Sequence, residues 1–210
     1  MPTSRAPLSE QSFPDVLVAA RSGEAWAAEA LFLDLQPRVL RFLRSTEPRA
    51  ADDLAGEVWL SMARGIGSFD GDLAGFRAWV FTIARRRLAD HRRSAVRRPS
   101  EPVDHEFFRD RAGTSDTAGL ALDKMSAQEA VDLITATLPH DQAEVLVLRV
   151  VADLDVAHVA EVMGRTANWV RVTQHRALRR LAEATGSRGP ALSVANSFDE
   201  PVMPTAPSAI

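Results

Sequence analysis

The side chains best suited to chemistry in this chain are arginines within residues 154–181, a segment whose pattern is that of a short helix-turn-helix. Apolar residues at helical spacing run from Val156 to Met163 and end at Gly164, a residue type suited to a helix C-cap. Thr166 then offers a side-chain oxygen that can cap a second helix. The spacing therefore predicts two helices joined by a tight, glycine-containing turn.

The second helix of this pattern has one apolar side and several polar faces. Its apolar side consists of Val170, Ala177, Leu178 and Leu181. Its polar faces carry Arg171, Gln174, His175, Arg176, Arg179 and Arg180. This is the arrangement of a helix that enters the major groove of DNA and contacts base edges and phosphates. An ordinary helical hairpin with a solvated arginine face is the alternative interpretation.

The formal net charge of −3 conceals two basic segments. Residues 85–98 hold seven arginines against one aspartate, and residues 165–188 hold six arginines against one glutamate. Between them, residues 101–161 carry 13 acidic and 4 basic side chains. Two positive patches separated by an acidic middle indicate two contacts with a polyanion such as nucleic acid.

The composition excludes several other kinds of chemistry. The chain has 210 residues and no cysteine, which excludes disulfides, cysteine metal sites and thiol catalysis. Its five histidines lack ligand spacing, and no GxSxG, Walker or GxGxxG motif occurs, so we expect no catalytic residue, metal ion or cofactor. No apolar run has transmembrane length and no signal-peptide pattern is present, so we expect a cytoplasmic protein without membrane insertion.

Helical periodicity without strand alternation predicts an all-α fold of two small domains joined by a flexible linker. The linker and the two ends are expected to be disordered because they lack a sustained period and are rich in proline, glycine and serine. The predicted segments are a disordered N-terminus at 1–12, a first domain at 13–97, a linker at 98–127, a second domain at 128–184 and a disordered tail at 185–210.

Three helices are expected to position the site residues of the first domain. The stretch 24–44 is predicted to be helical, with Pro37 kinking it or starting a new turn. One broad apolar face is expected to hold Trp26, Leu31, Phe32, Leu35, Val39, Phe42 and Leu43. A second helix is predicted at 51–65, and a glycine-rich connector at 67–75 precedes a third helix at 76–94.

The third of these helices combines an inward apolar face with a basic end. Its apolar positions are Phe76, Trp79, Val80 and Ile83, and its later turns carry Arg85, Arg86, Arg92 and Arg93. Arginines beside a polar loop able to receive unstacked bases would suit single-stranded DNA. A core helix with a solvated basic end is the alternative.

Four segments resemble, in the same order, the extracytoplasmic-function (ECF) sigma factors of the sigma-70 family. They are ADDLAGEVWLSMARGI, FRAWVFTIARRRLADHRR, LPHDQAEVLVLRVVADLDVAHVAEVMG and WVRVTQHRALRRL. Together they cover most of 13–184, and the string VRVTQHRALRRL is also similar to the actinobacterial sigma-D-like subgroup. The resemblance implies a non-enzymatic subunit that directs core RNA polymerase to promoters and assists their opening.

The resemblance also implies roles for particular residues and partners. The implied polymerase-binding residues, on the sigma-2 domain at 13–97, are Asp52, Asp53, Leu54, Glu57 and Val58. The implied DNA-binding residues are Phe69, Asp72, Arg85, Arg86, Arg92 and Arg93 for the minus-ten element, with Arg165, Thr166, Arg171, Val172, His175, Arg176 and Arg179 for the minus-thirty-five element. The implied partners are core RNA polymerase, promoter DNA and a cognate anti-sigma factor.

Two positions depart from the family pattern, and two other functions remain open. Gly56 stands where the family usually has glutamine, and Arg86 stands where it commonly has asparagine. For Asp52 and Asp53, simple helix capping is an alternative role. At the level of the whole chain, one alternative is a conventional helix-turn-helix regulator whose first domain senses a ligand or dimerises. The other is an adaptor that only sequesters a partner.

Overall fold

A computed structural model describes residues 8–97 and 126–186, and these form eight α-helices and no strand. The all-helical prediction is confirmed. The helices are α1 (Phe13–Arg21), α2 (Ala25–Arg44), α3 (Ala51–Gly65), α4 (Leu73–Arg97), α5 (Ala127–Thr137), α6 (His140–Val150), α7 (Val156–Met163) and α8 (Ala167–Ala184). The predicted linker and tail lie outside the described residues, apart from 126–127 and 185–186.

Helices α1 to α4 form the first unit, residues 8–97, around an aromatic core. Phe13 of α1 contacts Phe76 of α4 with 5.2 Å between ring centroids, and Phe42 of α2 meets Phe81 of α4 edge to face at 5.5 Å. All four rings are almost completely buried. Large aromatic side chains bury much apolar surface each, so this cluster fixes α4 against α1 and α2.

Helix α2 corrects two expectations from the sequence. It runs unbroken from Ala25 to Arg44, so of the two outcomes expected at Pro37 a new start does not occur, and the kink stays a prediction. Trp26 and Phe32 are 47% and 42% exposed, whereas Leu31 is fully buried. Phe32 lies about 100° around the helix from Leu31, outside the face that is buried at this point of α2. The single broad face predicted for α2 is therefore wrong at Trp26 and Phe32.

Two local hydrogen-bond systems extend the ordered part of the first unit. Residues 8–12, expected to be disordered, form a turn in which Ser9 and Ser12 exchange hydrogen bonds. Glu10 Oε2 of this turn accepts from the Leu73 backbone N–H at 3.4 Å. Asp72 Oδ1 accepts from the Gly75 N–H at 2.8 Å, which satisfies a donor in the first turn of α4. Helix α4 accordingly begins at Leu73, three residues before its predicted start.

Helices α5 to α8 form the second unit, residues 126–186. Helix α5 begins with a capping box in which the Ser126 hydroxyl accepts from the Glu129 N–H at 3.2 Å and Glu129 accepts from the Ser126 N–H at 2.6 Å. Helix α6 is buried continuously from Ala143 to Leu148. Because no face of this stretch is left to solvent, α6 must be covered on every side.

The two units pack against each other, with α4 lying against α7. The sequence predicted two domains and a linker but made no prediction about packing between the domains. Asp34 of α2 and Arg77 of α4 form an ion pair at 3.2 Å with both side chains nearly buried, and Arg77 also reaches Asp153 of the second unit at 3.5 Å. None of the described helices is long and apolar enough to cross a membrane.

Candidate nucleic-acid and protein interfaces

Helices α7 and α8 form the helix-turn-helix, in which the two predicted turn residues, Gly164 and Thr166, and an additional cap, Asp155, have defined roles. Asp155 caps α7 by accepting from the His158 N–H at 2.8 Å. Gly164 ends α7 in the left-handed conformation, with φ of 63°, which glycine adopts without steric cost. Thr166 caps α8 by accepting from the Trp169 N–H at 3.2 Å. Gly164 and Thr166 therefore define the turn from which α8 begins, while Asp155 fixes the start of α7.

The outward face of α8 gathers most of the residues predicted to contact duplex DNA. Arg171, Val172, His175, Arg176 and Arg179 are all exposed. With Gln142, Arg180 and Glu183 they line one open concavity of about 660 Å³. Within residues 8–97 and 126–186, only Arg179 of this set has a carboxylate partner, Glu183 at 3.4 Å, and that pair is exposed and weak. The concavity is therefore strongly positive.

The two remaining predicted residues of this half lie at the N-terminal end of α8. Arg165 is exposed, and its guanidinium carbon lies 5.2 Å from the centroid of the Trp169 ring. This cation–π contact holds the side chain beside the helix end. The Thr166 hydroxyl oxygen accepts one hydrogen bond as the cap, and the hydroxyl proton can still be donated to a phosphate.

The basic end of α4 contains arginines in two different states. Arg86 is exposed, and Arg93 is paired only with Asp90 one turn earlier on the same helix. Arg85 instead donates to Glu144 of α6 at 2.9 Å. Arg92 donates to Glu47 at 2.8 Å and lies 3.0 Å from His140 Nε2. In this arrangement two of the four arginines predicted to hold single-stranded DNA, Arg85 and Arg92, are engaged by groups outside α4.

The loop before α4 is ordered by aromatic packing and by Arg21. Phe69 is partly buried and lies 5.1 Å from Phe76 and 5.3 Å from Trp79, between ring centroids. Arg21 of α1 donates to the backbone carbonyl oxygens of Ile66 and Phe69. Asp72 is exposed, although its carboxylate also caps α4. The loop therefore presents a fixed backbone with Asp72 outward and Phe69 turned toward the core.

The predicted polymerase-binding residues of α3 divide into an outer and an inner set. Asp52, Asp53 and Glu57 are exposed, and Asp52 and Glu57 form surface ion pairs with Arg44 at 3.1 Å and Arg87 at 3.9 Å. Leu54 and Val58 are 2% and 0% exposed. Because their side chains pack into the core, these two residues present no exposed side chain to a partner, and their polymerase-binding role stays a prediction. They hold α3 in place.

An apolar surface beside α3 had no place in the sequence prediction. Phe32 of α2 contacts Trp59 of α3 with 4.9 Å between ring centroids, and the Trp59 indole N–H donates to Gln36. Leu60 of α3 and Leu33 of α2 are 59% and 58% exposed. We call Phe32, Leu33, Trp59 and Leu60 the α2–α3 apolar surface. The sequence signal that could have revealed this surface is that α2 and α3 carry more large apolar side chains than their buried faces hold.

The part of the chain that the structure describes contains no group of three histidine, aspartate or glutamate side chains positioned to hold a metal ion. The features that remain are a basic groove on α8, a basic end on α4 and an acidic-to-apolar surface on α2 and α3. These features suit macromolecular contacts, with nucleic acid on the basic surfaces.

Comparison with known proteins assigns the family. Residues 31–98 match the family model for Sigma-70 region 2, and residues 128–181 match the one for Sigma-70, region 4. The chain is 34% identical over 174 residues to the ECF RNA polymerase sigma factor ShbA of Streptomyces griseus, covering 77% of this chain and 89% of that protein. It is 32% identical over 183 residues to SigD of Mycobacterium tuberculosis, covering 83% and 84%.

A solved structure shares the fold. It is CnrH in complex with the cytosolic domain of CnrY, with a TM-score of 0.54, 18% identity, and coverage of 83% of this chain and 97% of that one. The four ordered motifs, the two matched regions and these relatives all indicate the same family. SigD is one of the relatives, which agrees with the sigma-D-like similarity seen in the sequence. The chain therefore belongs to the sigma-70 family, as a member of its ECF RNA polymerase sigma factors.

Proposed function

We propose that this chain directs core RNA polymerase to a set of promoters and assists their opening, without chemistry of its own. The observation that carries the proposal is the capped helix-turn-helix, whose α8 presents Arg171, Val172, His175 and Arg176 in one exposed positive groove. Arginine donates two parallel hydrogen bonds to guanine, so this face suits the duplex minus-thirty-five element. Arg165, Thr166 and Arg179 would contact flanking phosphates.

We assign the functional domains as 13–97 for core polymerase and the minus-ten element, and 128–184 for the minus-thirty-five element. On the first domain, the exposed carboxylates Asp52, Asp53 and Glu57 form the charged part of the polymerase-binding surface. The adjacent α2–α3 apolar surface extends it, since large exposed apolar side chains gain most from burial against a partner. Leu54 and Val58 support this surface from inside.

The opened minus-ten strand is proposed to lie along the loop before α4 and the basic end of α4. Asp72 and Arg86 are exposed there, and Arg93 has only a local surface ion pair to exchange for a phosphate. Arginine guanidinium groups can hold phosphates or stack on unpaired bases. Phe69, Arg85 and Arg92 belong to the same surface but need their present contacts to be rearranged.

The proposed partners are core RNA polymerase, promoter DNA and an anti-sigma factor. An anti-sigma factor would cover the α2–α3 apolar surface, since blocking the polymerase contact is the simplest way to silence the protein. Because core polymerase acts on the chromosome, the proposed location is the cytoplasm. Residues 98–127 would span the two promoter contacts as a linker.

The proposal is tested by run-off transcription with purified core RNA polymerase on promoters obtained by mapping transcript starts after overexpression. The protein is expected to redirect core polymerase to those starts. Tight binding to the promoter duplex by the protein alone, without any redirected transcription, would instead identify a conventional helix-turn-helix regulator.

At the residue level, Arg176→Ala should weaken binding to the minus-thirty-five duplex by about 1–3 kcal/mol and reduce discrimination between sequences. The matched control is Arg49→Ala, which removes the same charge from an exposed turn far along the chain from α8. Duplex affinity is measured by fluorescence anisotropy on cognate and scrambled probes. Equal losses for the two variants would contradict base recognition by Arg176.

A further inference from the structure

Helix α1 and the turn before it hold both ends of the loop between α3 and α4. Arg21, the last residue of α1, donates from Nε to the Ile66 carbonyl oxygen at 3.4 Å and from a terminal nitrogen to the Phe69 carbonyl oxygen. Glu10, in the turn before α1, accepts from the Leu73 N–H at 3.4 Å. The start and the end of this loop are thus tied to the same neighbouring element.

Burial of its apolar side keeps α1 itself in a fixed position. Phe13 is 1% exposed, and its ring centroid lies 5.2 Å from that of Phe76 in α4. Val16 and Leu17 are buried as well. Because these side chains pack into the core of the first unit, α1 can support Arg21 at its C-terminal end.

The sequence of the loop would by itself allow many backbone conformations. Gly67 and Gly71 permit a wider range of backbone angles than other residues, and residues 69–72 belong to no helix. Fixing such a backbone costs conformational entropy for every residue that is ordered. Contacts inside the folded protein offset this cost before a ligand arrives, so a loop that is held in its binding conformation binds more tightly.

We propose that Arg21 and Glu10 are positioning residues for capture of the opened minus-ten strand. They act through the backbone of the loop, and neither contacts the strand. The proposal rests on the proposed function, in which this loop receives the strand with Asp72 outward. Both residues precede the segment 31–98 that matches Sigma-70 region 2, so the proposal extends strand capture to a part of the chain outside that match.

The opposite charges of the two residues separate positioning from electrostatic attraction. If charge near the strand were the cause, loss of Arg21 would weaken binding of the polyanionic strand and loss of Glu10 would strengthen it. Positioning predicts weaker binding in both cases, because each loss releases one end of the loop. The sign of the Glu10 effect therefore decides between the two explanations.

Strand binding is measured on the complex of this protein with core RNA polymerase. The probe is a fluorescein-labelled single strand that carries the minus-ten element of a mapped promoter. Arg21→Ala should bind it about tenfold and Glu10→Ala about threefold more weakly than wild type, since a smaller fraction of molecules keeps the competent loop. Binding of the minus-thirty-five duplex should not change in either variant. Unchanged or tighter strand binding by Glu10→Ala would overturn the proposal.

A lysine at position 21 tests whether charge alone suffices. Arg21→Lys keeps the charge but lacks the planar fork that reaches two carbonyl oxygens, so it should lose nearly as much affinity as Arg21→Ala. The slope of log affinity against log salt concentration should equal that of wild type, whereas loss of a phosphate contact would reduce it by about 0.7. Full rescue by Arg21→Lys, or a reduced slope in Arg21→Ala, would show a direct phosphate contact and overturn the proposal.

Two exposed residues of the first unit provide matched charge controls. Arg64 lies in the last turn of α3, next to the same loop in sequence, and Glu24 precedes α2. Arg64→Ala should lose no more than about threefold, the effect of one missing positive charge, and Glu24→Ala should lose nothing. Equal losses for Arg64→Ala and Arg21→Ala would count against positioning.

Hydrogen exchange measures the order of the loop without DNA. The Phe69 N–H, which donates to Ile66 at 3.3 Å, and the Leu73 N–H should exchange faster in Arg21→Ala and Glu10→Ala than in wild type. If exchange is unchanged and both variants open promoters as wild type does, the positioning role is wrong and the proposed function stands. If wild type itself neither binds the strand nor redirects core polymerase, the proposed function fails and the role in strand capture fails with it, while faster exchange would still show that these residues order the loop.

Discussion

At the scale of single residues, exposure separates side chains that can recognise a partner from those that support them. In α3, Asp52, Asp53 and Glu57 point to solvent, while Leu54 and Val58, which directly follow Asp53 and Glu57, point to the core. In α4, Arg86 is exposed and Arg85 is held by Glu144. In α3 the residue types agree with this division, because the carboxylates are exposed and the aliphatic side chains are buried. In α4 residue type does not distinguish the two arginines, because the difference depends on what lies in the direction of each side chain.

Glu57 and Val58 provide a residue-scale prediction, since they are neighbours with opposite exposure. Glu57→Arg should change the free energy of unfolding by no more than about 0.5 kcal/mol, because its ion pair with Arg87 is exposed, yet it should weaken binding to core polymerase. Val58→Ala should lower the free energy of unfolding by about 1–3 kcal/mol through the cavity it leaves. Urea unfolding and a core-polymerase affinity measurement separate the two effects. Full polymerase affinity in Glu57→Arg would remove that residue from the interface.

At the scale of elements, local capping fixes where the helices begin and how the helix-turn-helix bends. Asp72, Ser126, Asp155 and Thr166 each accept a backbone N–H in the first turn of a helix. Each such cap is worth about 1 kcal/mol and satisfies a donor that the helix itself leaves unpaired. Asp72 and Thr166 are themselves residues proposed to contact DNA, so these two caps also position the surfaces proposed for DNA.

The cap at Asp155 predicts a pH dependence of stability. Burial acts to raise the pKa of Asp155, but the hydrogen bond from the His158 N–H and the charge of the His158 ring outweigh it, so the pKa lies below its usual value. A carboxylate with a lowered pKa in the folded state stabilises above its unfolded pKa of about 3.9, and this contribution disappears as pH falls through the folded value.

Two variants at Asp155 test this dependence by thermal unfolding between pH 7 and lower values. Asp155→Ala should lose about 1 kcal/mol at pH 7. Asp155→Asn should keep most of the cap but lose this group's share of the acid sensitivity. An Asp155→Asn variant with the full acid response of the wild type would show that other carboxylates account for it.

Gly56 and Gly65 of α3 should respond in opposite ways to substitution by alanine, because one faces open space and the other packs against Trp79. A Cβ at Gly56 would meet no atom within 4 Å, so Gly56→Ala should raise the free energy of unfolding by about 0.5–1 kcal/mol. A Cβ at Gly65 would lie 2.8 Å from Cζ2 of Trp79, whose ring is confined by Phe69 and Phe76. Gly65→Ala should therefore destabilise by about 1–3 kcal/mol. Stabilisation by both, measured in urea, would show that the Trp79 ring yields readily.

At the scale of the whole molecule, the two helical units pack against each other through an interface of ion pairs and apolar contacts. Each unit carries a different surface that is proposed to contact DNA. The polar part consists of partly exposed ion pairs, Arg85 with Glu144 and Arg77 with Asp153. Such pairs are individually weak and are screened by salt. An interface of this composition can close the molecule and still be reversed by a partner that binds either unit.

Salt provides the prediction at this scale. Raising the ionic strength from about 0.1 M to about 1 M shortens the Debye length from about 10 Å to about 3 Å. It should therefore lengthen the distance between spin labels attached to Ala63→Cys and Ala184→Cys, two exposed positions in different units. Glu144→Arg, which replaces the ion pair with Arg85 by repulsion, should have the longer distance already at low salt and change little further. A wild-type distance that is insensitive to salt would mean that apolar contacts around Phe42 and Val147, rather than ion pairs, keep the units together.

The sequence by itself determined the helices, the helix-turn-helix and the family. Periodicity, Gly164 and Thr166 are local signals, and α3 and α7 lie within a residue or two of where these signals placed them. The outward side of α8 followed from the same periodicity, because a helix whose apolar stripe is known has a known opposite face. Four motifs in order then sufficed to identify an ECF sigma factor.

Tertiary structure alone decided which of these residues are accessible and which are engaged. The burial of Leu54 and Val58, the exposure of Trp26 and Phe32, and the pairing of Arg85 with Glu144 all depend on neighbours distant in the chain. Arg85 and Glu144 are 59 positions apart. Helical periodicity specifies the direction of a side chain relative to its own helix, but only packing specifies what lies in that direction.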